Sequence, residues 1–175
     1  MVLLMVTVVK DTNIIIDLIK TGLVCFSSKL GIEWHTTRHV IKEIDDEEQL
    51  EIIRSLINDG ILVVDSFEEK DFELLVETTM KYGKLTNMTE TDCSVMLLAE
   101  RHSCRLLTSD QKLKRQAEAR GVQVNGLLWI VDTIVEEGIL SGIEMISYLE
   151  KYIETNMRVP ESEVNKRIER YRNLK

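Results

Sequence analysis

Apolar and polar positions change period repeatedly along the chain, and each change marks a new element. Residues 2–9 are continuously apolar and rich in β-branched types, the pattern of a strand buried on both faces. Residues 14–22 have the length of a helix and end on glycine, a usual helix stop. A short strand is predicted over 31–34. Thr36 or Thr37 can then cap a helix to about residue 46, and the acids that follow lead into a second helical stretch that ends at Asn58, before Asp59-Gly60. The pattern continues as a strand over 61–64, a helix over 69–82 stopped by Gly83, and a helix opened by Thr89 that runs to about 102. Residues 105–108 and 121–124 read as strands on either side of a helix over 111–120. Beyond them the pattern is helical, over 127–137, 142–154 and, after Pro160, 162–173.

Strands that alternate with helices of this length predict βαβ units and a parallel sheet covered on both faces. In such sheets ligands sit at the carboxyl ends of the strands. No repeat, low-complexity segment or linker divides the 175 residues, which suit one domain. The acidic run 45–48 reads as a solvated face.

Four carboxylates fall where they could meet at that edge. Asp11 follows the first strand directly, and Asp110 follows "RLLTSD" in the same strand-to-helix position. Each is also the residue type that a helix N-cap asks for. Asp92, in "TETDCSVMLLAER", stands three residues after Thr89, where a capping-box acid would stand. Its face nevertheless continues through Val95, Met96 and Ala99. Glu90 should point elsewhere. In "TTRHVIKEIDDEE", Val40, Ile41 and Ile44 form one helical face with Glu43 at its margin, and Glu47 is the alternative acid.

Composition narrows the chemistry. The chain is 44% hydrophobic but 5% aromatic, which predicts an aliphatic interior, and one proline with eight glycines argues against a disordered or loop-rich chain. The net charge of −8 repels polyanions, so any phosphate contact must be local. Cys25, Cys93 and Cys104 are odd in number and form no CxxC pair, which suits reduced thiols packed as small hydrophobes. The opening apolar run lacks a basic flank and a cleavage site, and no segment reaches spanning length, so a cytoplasmic protein without a membrane anchor is expected. Carboxylates gathered at one edge repel unless a cation holds them, and an oxygen-only donor set suits Mg²⁺ or Mn²⁺. His35 and His39, four apart without an HExxH frame, read as structural or surface residues, and no His/Cys set for zinc or iron is expected.

Together "VVKDTN", the Glu of "V-x-x-E-I", "MTETDCSVMLLAER" and "LLTSD" resemble the four acidic motifs of PIN domains, in the form found in VapC-like toxin ribonucleases. "GVQVNGLLWIVDTIVEEGILSG" also resembles a recurring tail of one PIN subgroup. The resemblance covers about residues 3–142. It implies a PIN-like domain over 1–142 with a helical C-terminal extension, 143–175, packed on it. The implied fold is a Rossmann-like three-layer α/β/α sandwich. It implies one or two Mg²⁺ or Mn²⁺ ions at Asp11, Glu43, Asp92 and Asp110, with Thr12, Asn13, Thr108 and Ser109 orienting those acids. The implied activity is hydrolysis of an RNA phosphodiester by a metal-activated water, with a small antitoxin partner and a homodimer as context.

Lys10, Arg38, Lys84, Lys112, Lys114 and Arg115 lie in segments near the expected rim, where they could contact RNA phosphates. The stripe Val164, Ile168 and Tyr171 could dock on the chain itself or on a partner. A haloacid-type phosphatase would need a second Asp where Asn13 stands. A PIN-like module that binds protein or nucleic acid without catalysis is the remaining alternative.

Overall fold

The computed structural model describes residues 6–155 and 159–173. Its elements in chain order are β1 (Val6–Lys10), α1 (Thr12–Thr21), α2 (Val24–Ser27), β2 (Ile32–Thr37), α3 (Arg38–Lys42), α4 (Glu47–Asn58), β3 (Leu62–Asp65) and α5 (Glu69–Thr86). These are followed by α6 (Glu90–Arg101), β4 (Arg105–Leu107), α7 (Gln111–Ala119), β5 (Val124–Asn125), α8 (Leu127–Glu136), α9 (Gly142–Thr155) and α10 (Glu161–Arg172). The part of the expected first strand over 2–5 lies outside the described residues.

The strands form one sheet in the order β3-β2-β1-β4-β5, and every pairing is parallel. Val9 lies opposite both His35 of β2 and Leu106 of β4, which makes β1 the central strand. Val8 and Val9 are accordingly fully buried, and β4 brings Leu106 and Leu107 to the same core. Helices α5, α6 and α7 pack together on one face, while α1 packs with α4, α8 and α9 on the other. This is the expected α/β/α sandwich with a parallel sheet. Among the described residues no helix is long and apolar enough to cross a membrane.

Local chemistry explains where the elements stop. Gly22 ends α1 in the left-handed conformation at φ 82°, which glycine adopts without steric cost. Helix α5 does not stop at Gly83 as expected. It runs on to Thr86 and ends at Asn87, whose φ of 54° supplies the left-handed cap; one helical glycine costs only about 1 kcal/mol relative to alanine. The single helix expected to about residue 46 ends at Lys42 instead. The acidic run is more than a solvated face, because Asp46 accepts from the Gln49 N–H and starts α4, with Glu47 and Glu48 in its first turn. The four-residue α2 is too short to leave a periodic signal. Cys93 is buried as expected, but Cys25 is exposed.

The C-terminal helices pack back on the sandwich. Helix α9 lies against α1, and α10 against α9. Val164, Ile168 and Tyr171 are all buried, so this stripe docks within the chain. Asp132 of α8 anchors α10 by accepting three bonds from the Arg167 guanidinium, one from Arg170 and one from the Tyr171 hydroxyl.

Candidate active site

The order of the sheet reverses between β1 and β4, because the strands that follow β1 go to one side and β4 goes to the other. The crevice at the carboxyl ends of two such strands is where open α/β sheets bind ligands. Asp11 follows β1 there, and Asp110 follows β4 after Thr108-Ser109. The Asp11 N–H donates to the Leu107 carbonyl at 3.0 Å, so the two strand ends are tied at this point.

Asp11 is only 3% exposed. One carboxylate oxygen accepts from the Thr12 N–H at 2.7 Å, and the other from the Thr108 hydroxyl at 2.7 Å. Burial pushes its pKa up, the Thr108 and Thr12 bonds pull it down, and the nearby Asp92 and Glu43 charges push it up again, with about 6 as the outcome. Asp11 is therefore both the N-cap of α1 and a desolvated acid among like charges.

The other acids reach the crevice by different routes. Glu43 is not on a helical face as expected, because α3 has ended. It is the C-cap of α3, and its Oε2 accepts from the Thr12 hydroxyl at 2.7 Å. Glu47 is engaged elsewhere, with Arg54 at 2.8 Å. Asp92 forms a reciprocal capping box with Thr89, and burial, followed by the charges of Asp110 and Glu43, raises its pKa despite the Thr89 bonds. Asp110 caps α7 by accepting from the Lys112 and Leu113 N–H groups, while its own N–H donates to the Thr108 hydroxyl. Glu90 points away, toward His39 at 3.0 Å.

Asp11 thus feels the charges of Asp92 and Glu43, and Asp92 those of Asp110 and Glu43, so Asp92 links the four acids electrostatically. Among the described residues no three of them bring ligand oxygens within 4.8 Å of one another. The donor chemistry fits a hard divalent ion, since all four groups are carboxylates and Asp11 is buried. Thr12 and Thr108 hold two of the acids by their hydroxyls. Asn13 and Ser109 are half-buried beside them, with no bond to an acid shown.

The cations separate into two groups. Lys10 is not at the rim: it is 5% exposed, its Nζ stands 3.8 Å over the Trp34 ring, and burial lowers its pKa to about 7. Its place in a central strand covered on both faces accounts for this, since Val8, Val9 and Lys10 are all buried. Arg38, Lys84, Lys112 and Arg115 are exposed, and half-buried Lys114 lies 3.9 Å from Glu118. Against the expectation of no His/Cys set for zinc or iron, His35, Asp65 and His102 bring one ligand atom each within 4.8 Å of one another. These residues are too far apart in sequence for any spacing rule to find them.

A family model described as a PIN domain matches residues 7–173 of the chain. The endoribonuclease Nob1 of Pyrococcus abyssi (strain GE5 / Orsay) is similar at 27% identity over 102 residues, which cover 58% of this chain and 63% of that protein. The chain therefore spans less than two thirds of that relative's length.

Proposed function

The chain belongs to the PIN-domain family, and from that premise we propose that it is a divalent-metal-dependent endoribonuclease acting at the edge formed by Asp11, Glu43, Asp92 and Asp110. The observation that carries this reading is Asp11 itself. A carboxylate this buried, with Asp92 and Glu43 raising its pKa further, is stabilised in its ionised form by a cation. The similarity to an endoribonuclease supports RNA as the substrate. Bound Mg²⁺ or Mn²⁺, as one or two ions, would supply an activated water and offset charge on the phosphorus under attack.

The chain's own residues would prepare that chemistry. Thr108 and the Thr12 N–H fix the two oxygens of Asp11, and the Thr12 hydroxyl holds Glu43. Backbone N–H groups of Lys112 and Leu113 fix one oxygen of Asp110. Exposed Arg38, Lys112 and Arg115 offer local phosphate contacts on a chain whose net charge of −8 discourages loose RNA binding. The toxin context, with an antitoxin and a homodimer, rests on the likeness of the motifs alone. Growth arrest on induction in a bacterial host tests it.

Cleavage of varied structured RNAs in millimolar Mg²⁺ or Mn²⁺, compared with Asp11→Asn, is the deciding assay. We expect cleavage and a metal-dependent rise in Tm from the native chain and neither from the variant. A folded native chain that binds RNA but cleaves none in either metal would replace the enzyme with a binding module.

A further inference from the structure

A different donor set gathers where β2, β3 and the C-terminal end of α6 converge. His35 Nδ1 lies 2.5 Å from Asp65 Oδ2, and His102 Nε2 lies 3.1 Å from Asp65 Oδ1, so one carboxylate bridges two imidazoles. The two rings are 4.5 Å apart, centre to centre. The ligand atoms of the three residues all lie within 4.8 Å of one another. His35 is 6% exposed, and its Nε2 is sealed from solvent without a hydrogen-bond partner among the described residues. Glu33 Oε2 stands 3.3 Å from that nitrogen and is itself held by the Thr7 hydroxyl at 3.2 Å.

We propose that His35, Asp65 and His102 form a second metal site that takes Zn²⁺. The ligands are His35 Nδ1, an Asp65 oxygen and His102 Nε2, with water in the fourth position. Two imidazole nitrogens and one carboxylate suit a borderline ion such as Zn²⁺, whereas the acids around Asp11 offer only hard oxygen. Glu33, whose Oε2 stands 3.3 Å from Nε2 without bonding it here, is placed to become the outer partner of His35 once the ring turns onto the metal.

The movement needed is small. Ligand atoms around a tetrahedral Zn²⁺ are about 3.3 Å apart, given bonds of about 2.0 Å. The 2.5 Å contact must therefore open by a little under about 1 Å, and the widest pair must close by no more than about 1.5 Å. Asp65 ends the edge strand β3, and His102 caps α6 with a side chain 27% exposed, so both can turn and the ion has a path in. The proton shared by His35 Nδ1 and Asp65 leaves to solvent as the metal bonds form.

Such an ion would clamp β3 to β2 and to α6. Helix α6 carries Asp92 in its first turn, and β2 leads through Thr37 and α3 to Glu43. The clamp would thus stiffen two of the elements that carry the acidic residues. It does not depend on the nuclease reading.

Calorimetric titration of the Asp11→Asn chain with Zn²⁺, in millimolar Mg²⁺ to mask oxygen-only sites, tests the proposal. We expect one equivalent bound at micromolar concentration, a rise in Tm, and a loss of affinity of at least about tenfold in His102→Ala. Absence of saturable binding, or equal binding by His102→Ala, overturns it. If that variant does not fold, imidazole NMR of the unchanged chain decides. Zn²⁺-dependent shifts in His35 and His102 but not in His39 support the site, and shifts in neither overturn it.

Discussion

The hydroxyl of Thr108 has two bonding partners, and together they explain why a threonine stands two residues before Asp110. It donates to Asp11 at 2.7 Å and accepts from the Asp110 N–H at 3.0 Å, so one side chain positions two of the acids. Thr108→Val keeps the shape and removes both bonds. We expect metal affinity to fall by about 10- to 100-fold while the fold persists, which metal titration followed by Tm would read. The pH response of Asp11 belongs to the same scale. Its pKa is about 6 in the folded, metal-free chain against 3.8 as the ordinary value, so between these values the folded state holds more protons than the unfolded state. Stability from this group is therefore greatest at the acid end and falls as pH rises from about 4 to about 6, by on the order of 3 kcal/mol. Tm measured over that window in chelator should fall less steeply in Asp11→Asn. Mg²⁺ or Mn²⁺ should offset the fall, because the ion binds the ionised carboxylate.

Among the elements, α3 and α10 show how a short segment acts on something larger than itself. Thr37 caps α3 by accepting from the Val40 N–H and also meets the Ser94 hydroxyl at 2.8 Å, which fixes the start of α3 against α6. After five residues α3 ends, and that early end delivers Glu43 to Thr12. Helix α10 is held through Asp132. Burial pushes the pKa of that carboxylate up, but the bonds and charges of Arg167, Tyr171 and Arg170 outweigh burial and lower it. Removing this acceptor leaves a largely buried guanidinium and a tyrosine hydroxyl without it. Asp132→Ala should therefore cost about 2 kcal/mol, or roughly 4–8 °C in Tm for a chain of this size. Thermal unfolding checks this, and proteolysis should locate the loosened segment at α10.

For the whole molecule, charge sets the terms of RNA binding. Four of the six expected phosphate-contacting cations, Arg38, Lys84, Lys112 and Arg115, are exposed, on a chain of net charge −8. Single-stranded RNA contacted by at most these four should show a log–log salt slope no steeper than about −3. Binding measured from low to moderate salt checks it, and a much steeper slope would place additional cations in the interface. The alternation of strand and helix, the parallel sheet and the strand-end acids Asp11 and Asp110 were legible in the sequence, because each follows from local periodicity and from the chemistry of a strand-to-helix turn. The position of Asp92 was legible as a capping-box acid at the head of an apolar face. Glu43 was legible only as a candidate, since its reach depends on where α3 stops, and the competing cap at Asp46 decides that. Lys10 was misplaced because nothing local shows that a lysine at the end of a central strand turns inward over Trp34. The sequence by itself determined the elements and the acids at their ends, through short-range rules. Tertiary structure alone decided which distant side chains meet, Thr108 with Asp11 and His35 with Asp65 and His102, because strand order and register rather than spacing along the chain bring them together.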